Sequence, residues 1–155
     1  MDKTSPALPV EKGSELLKTV FLLESDLLFQ VRLEKSLEKQ DCEVVNVQSV
    51  SQLTDALTKP APALIILNFA SRTPNPMEAT AQLHATFPNT PILGYFSHTK
   101  IPEIKVQAKA AGVTLLVPNS VIVTRLPQLL ERLLPKEGES PDISGAERIA
   151  DEAEE

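Results

Sequence analysis

With 155 residues, 42% of them hydrophobic, the chain has the material for one globular domain with a buried core and is too apolar to be disordered throughout. No apolar run approaches the ~18 residues that cross a bilayer, and Met1 to Lys18 lack the apolar centre of a secretory signal, so no membrane association is expected and the expected location is the cytoplasm. The net charge of −6 falls wholly within Lys136 to Glu155, where eight acids face two bases; the neutral remainder has no Lys/Arg cluster to meet phosphates, which argues against nucleic acid as a partner.

In chain order, residues 1–17 hold Pro6, Pro9 and Gly13 without periodicity and read as a flexible leader. Thr19 to Leu23 is a short apolar strand that meets the polar set Glu24, Ser25 and Asp26. Leu28, Val31, Leu33 and Leu37 then recur at helical spacing, with Ser25 or Asp26 as N-cap. Cys42 to Val47 is a second strand, and its lone cysteine rules out an internal disulfide. Val50 to Leu57 is a short helix, with Ser49 or Ser51 as N-cap, ended by Pro60 and Pro62. Ala63 to Leu67 is apolar on both faces, as in a central parallel strand, and Asn68 closes it.

Asn75, Pro76 and Glu78 form an N-cap, a first-turn proline and a capping-box acid for a helix to about Phe87. Pro91 to Tyr95 is a fourth strand. Pro102 opens a helix that Gly112 closes, and Val113 to Val117 is a fifth strand. Leu126 to Leu134, started by Pro127, is the last helix of a domain spanning 18–135. Residues 136–155 read as an acidic, solvated tail, although Ile143, Ala146, Ile149 and Ala150 permit a weak helix.

Five β-α units over about 115 residues give an α/β class with right-handed crossovers. The expected architecture is a flavodoxin-like, doubly wound parallel sheet of order 2-1-3-4-5, its cleft beyond the carboxyl ends of strands one, three and four. No phosphate-loop, dinucleotide or nucleophile-elbow motif is present, and no glycine lies in the turn after strand one, which disfavours a flavin protein.

Val20 to Asp26, Asp41 to Val45, Ala63 to Asn68, Asn89 to Leu93 and above all Ala108 to Val113, in this order and spacing, resemble the receiver domain of bacterial response regulators. The resemblance covers roughly Lys18 to Leu134. It implies a CheY-like fold with an acidic pair after strand one, a phosphoacceptor Asp ending strand three, a Thr or Ser ending strand four and a Lys ending strand five. The matching positions here hold Glu24 then Ser25, with Asp26 next; Asn68; Phe96, with Ser97 next; and Asn119 followed by Ser120. Phosphoryl transfer needs a carboxylate nucleophile and a Mg²⁺ ion held mainly by carboxylates. Asn68 is a poor nucleophile and Asn119 carries no charge. The resemblance therefore implies a pseudo-receiver: not an enzyme, with no cofactor and no resident metal.

At this pocket Glu24 and Asp26 are read as capping, solvated acids ahead of a residual metal site. Asn68 is read as a hydrogen-bonding partner of Glu24 or Ser25, and Phe96 as a plug ahead of a rotating signal residue. The expected function is a phosphorylation-independent protein-binding module of two-component signal transduction, with a homodimer left open. Its expected partner face carries Lys105, Lys109, Arg125, Gln128 and Arg132. The rival is a small-molecule or ion sensor built on Glu24, Asp26, Asn68 and Asn119. A phosphoacceptor role for Asp26 ranks last, because Asp26 follows the wrong strand.

Overall fold

A computed structural model describes residues 18–136 and 138–154 of the chain; the leader at 1–17 lies outside the described residues. Five strands, β1 (Lys18–Leu23), β2 (Cys42–Asn46), β3 (Leu64–Asn68), β4 (Ile92–Phe96) and β5 (Leu115–Pro118), alternate with helices. The helices are α1 (Leu27–Lys39), α2 (Val50–Ala56), α3 (Pro76–Thr86), α4 (Ile101–Ala111), α5 (Asn119–Leu133) and α6 (Ile143–Glu154). All strand pairs are parallel, in the order β2-β1-β3-β4-β5. This is the doubly wound flavodoxin-like sheet expected from the β-α alternation.

The local signals act as written in the sequence. Asp26 caps α1 through Phe29 N–H (3.1 Å), Ser49 caps α2 through Gln52 N–H (3.0 Å), and Asn75 caps α3 through Glu78 N–H (3.0 Å). Gly112 ends α4 at φ 126°, a left-handed value that side chains resist. The central strands are buried on both faces, so the sheet splits the core in two. On one side Leu22, Ile66 and Leu93 pack against α1 and α5; on the other Phe21, Ile65 and Ile92 pack against α2, α3 and α4.

Two elements depart from the sequence expectation. α5 starts at Asn119, well before Leu126, with Pro118 at its N-cap and Pro127 inside it. The apolar spacing Val121, Ile122, Leu126, Leu129, Leu130 and Leu133 holds one buried stripe through the proline, whose ring lies on the exposed side. The second departure is the expected acidic tail: Ile143 to Glu154 form α6, packed on α5 and the edge strand β5. Ala146 and Ala150 are buried, Ile143 and Ile149 half-buried, so the weak apolar stripe finds a complementary surface. Asp142 fixes the start of α6. Its Oδ1 accepts Gly145 N–H at 2.9 Å, its Oδ2 accepts Arg132 Nη1 at 3.0 Å, and its own N–H donates to the Arg132 carbonyl at 2.8 Å. The carboxyl of Asp142 is held below the usual carboxylate range, chiefly by the Gly145 N–H, which outweighs the opposing effect of burial, with Arg132 adding to it. A Cβ at Gly145 would collide with that carboxylate, so glycine is what lets the cap close.

Candidate functional site

The carboxyl ends of β1, β3 and β4 come level through register. Leu23 pairs with Leu67, so Glu24 follows onto the rung of Asn68, and Asn68 pairs with Tyr95. The period of two then sorts the side chains. Glu24, Asn68 and Tyr95 share parity with Leu22, Ile66 and Leu93, and so belong to the face covered by α1 and α5.

Glu24 is the hub. It is 1% exposed, and its carboxylate meets three donors. Oε1 accepts Asn68 Nδ2 at 2.9 Å and the Tyr95 hydroxyl at 2.5 Å; Oε2 accepts Asp26 N–H at 2.8 Å. The Glu24 carbonyl accepts Gln48 Nε2 at 3.1 Å. Asn68 spends its other end on the turn that follows, where Oδ1 accepts Ala70 N–H at 2.8 Å. The Tyr95 ring is fully buried and leans on Phe29 of α1, centroid to centroid 5.4 Å. Burial, then the hydrogen bond to Glu24 and the nearby carboxylates, push the phenol well above its ordinary pKa. The space among Glu24, Ser25, Asn68 and Ser71 has no room for a water molecule.

Tyr95 is absent from the sequence-derived site, which placed Phe96 there as a plug. Phe96 has the opposite parity and cannot reach Glu24. It is partly buried with Phe69, Met77 and Ile104 on the α3–α4 side. A buried tyrosine hydroxyl needs a partner, and that requirement was the signal for Tyr95. The other expected pocket residues do not converge. Ser25 Oγ lies 3.3 Å from Ser71 Oγ, and Ser97 Oγ lies 3.3 Å from Thr99 Oγ1. Asn119 is the exposed first residue of α5, and no hydrogen bond joins it to Glu24 or Asn68 among the described residues.

This donor set does not fit Mg²⁺. Both Glu24 oxygens face hydrogen-bond donors, Asn68 Oδ1 is turned to the backbone, and the Asp26 carboxylate caps α1. Among the described residues no three His, Cys, Asp or Glu side chains group as metal ligands. Cys42 is buried, and its thiol is pushed up to about 11, chiefly by burial, which leaves it a poor nucleophile.

The expected partner face is divided by α6. Arg125 and Gln128 remain exposed on α5, while Arg132 is bonded to Asp142 at the start of α6. Lys105 and Lys109 of α4 look across an open cleft at α6. No helix among the described residues is long and apolar enough to cross a membrane.

No protein-family model and no curated protein sequence matches the chain. Solved structures do match in shape. A response regulator from Thermotoga maritima superposes with a TM-score of 0.65 at 13% identity, covering 77% of this chain and 98% of that one. The chemotaxis response regulator CheY4 of Vibrio cholerae gives 0.66 at 19% identity, covering 76% and 98%. The chain has the receiver-domain fold. A structure described as adenylate cyclase from Rhodopirellula baltica, with a TM-score of 0.64 at 12% identity, covers 90% of this receiver-like chain and 96% of its own. At such identities the likeness concerns the fold alone.

Proposed function

We propose that this receiver-like domain is a phosphorylation-independent protein-binding module of a two-component signalling system, without catalytic activity of its own. The observation that carries the reading is the buried Glu24 carboxylate, bonded at both oxygens by Asn68, Tyr95 and the Asp26 backbone. A phosphorylatable receiver must offer a carboxylate nucleophile and leave carboxylate oxygens open to Mg²⁺. Here the amide Asn68 stands at the nucleophile position and locks the remaining acid, while Tyr95 seals it from within. The likeness to response regulators supports a place in signalling, with the fold kept as a scaffold. The sensor reading has less support, because the space among Glu24, Ser25 and Asn68 has no room for a water molecule, Asn119 is exposed, and the groove of about 270 Å³ beside Asp26 includes neither Glu24 nor Asn68.

Incubation with acetyl phosphate and Mg²⁺, followed by intact-mass measurement, tests this. The chain is expected to gain no phosphoryl group under conditions that label an active receiver run alongside. Stoichiometric labelling would overturn the reading.

A further inference from the structure

β5 is an edge strand, hydrogen-bonded to β4 alone. Beyond its ladder to β4, the backbone of Leu115, Leu116 and Val117 makes no other backbone hydrogen bond among the described residues. An unpaired edge invites another strand, and proteins commonly cover or blunt it. Here helices pack on the two faces of β5 without pairing with its edge. α4 stands on one side and α6 on the other, and between them runs a cleft of about 530 Å³ floored by Leu115 and Leu116. That is the size of a ligand-binding groove.

Its walls carry opposite charge. Lys105 and Lys109 stand on the α4 wall, Glu147 and Asp151 on the α6 wall. No ion pair links these lysines to these acids among the described residues. Lys109 Nζ instead donates to the Thr114 carbonyl at 2.9 Å, at the entrance to β5, and Lys105 has no hydrogen-bond partner among the described residues.

We infer that this cleft takes an extended segment of a partner protein as a sixth strand beside β5, with acidic and basic side chains alternating along it. The argument is period two. Side chains of an added strand point alternately to the two faces of the sheet. One set meets Lys105 and Lys109 and is best acidic; the other meets Glu147 and Asp151 and is best basic. Backbone pairing with β5 supplies affinity, and the charged walls supply register and sequence preference. This rests on the interaction-module reading and names the partner's chemistry.

The test uses the full chain and two synthetic peptides of one composition: one alternating Glu and Lys, the other with its Glu and Lys in separate blocks. Amide NMR titration is expected to show saturable shifts at Leu115, Leu116 and Val117 with the alternating peptide, at least about tenfold tighter than with the block isomer. Lys105→Glu combined with Glu147→Lys, both exposed positions, should abolish that preference while the rest of the spectrum stays unchanged. Equal binding of the two peptides, shifts away from β5, or no shift with either would overturn the inference. So would concentration-dependent shifts at β5 without peptide, which would assign the edge to a second copy of the chain. Any of these outcomes leaves the phosphoryl-labelling result, and with it the module reading, standing independently.

Discussion

The two ends of this domain that face its surroundings are built in opposite ways. At the carboxyl ends of β1, β3 and β4, both oxygens of a buried carboxylate accept hydrogen bonds and the adjoining gap has no room for a water molecule. Along β5, backbone and charged side chains border an open cleft of about 530 Å³. The first region is a structural joint, in which polar groups satisfy one another and fix three strands and α1 in place. The second has charge and hydrogen-bonding capacity left to spend on something else. Function is more readily sought at the second, although the fold's likeness to receivers draws the eye to the first.

Breaking the joint should have the largest effect. Glu24→Ala leaves the Tyr95 hydroxyl, the Asn68 amide and the Asp26 N–H without their acceptor in a site closed to water. Denaturant unfolding should show a loss of about 3–5 kcal/mol. Tyr95→Phe removes one donor and keeps the ring on Phe29, so it should cost about 1–3 kcal/mol. Tyr95 is the only tyrosine in the chain, so its titration can be read directly from phenolate absorbance. The native phenol lies above its ordinary value and the unfolded one ionises near ~10. The stabilisation is therefore complete below about pH 10 and falls as pH rises beyond it. Phenolate should appear only together with unfolding, and Tyr95→Phe should lose the corresponding alkaline dependence.

At the open region the effects should be local and smaller. Ala150→Arg forces a long charged side chain into the α6–α5 contact, where Ala150 is 3% exposed. Hydrogen exchange across Ile143 to Glu154 should speed up by the equivalent of about 1–3 kcal/mol while the sheet amides hold. The smallest effect concerns Asp142. Its carboxyl pKa is lowered in the folded chain, so its contribution is present above the usual carboxylate range and lost as pH falls through the folded value. Acidification through that folded value should fray the start of α6, and Asp142→Asn should flatten that dependence. If α6 and the sheet lost protection together in either experiment, the contrast between joint and docked helix would be wrong.

Much of the fold was legible because its signals are redundant. Each strand is an apolar run closed by a polar residue, and three helices carry side-chain caps at the residues that the pattern names. The missed features were those in which one signal masks another. Pro127 reads as a helix start, yet the apolar stripe from Val121 carries the helix through it. The acids of residues 136–155 read as solvated, yet Ala146 and Ala150 place a narrow apolar line among them that only a neighbouring helix reveals. In the site, Glu24 and Asn68 were legible from strand ends alone. Tyr95 was not, because choosing between it and Phe96 requires the strand's parity, which is fixed by pairing with β3 and β5 and not by β4 itself.

The most direct measurement is an amide NMR titration of the full chain with beryllofluoride and Mg²⁺, which together mimic an acyl phosphate. A Glu24 carboxylate bonded at both oxygens and an amide at position 68 predict no saturable shifts at Glu24, Asn68, Tyr95 or Ser97. Saturable shifts at those residues would mean that the pocket opens and binds, contradicting the claim that this end of the domain is a closed joint.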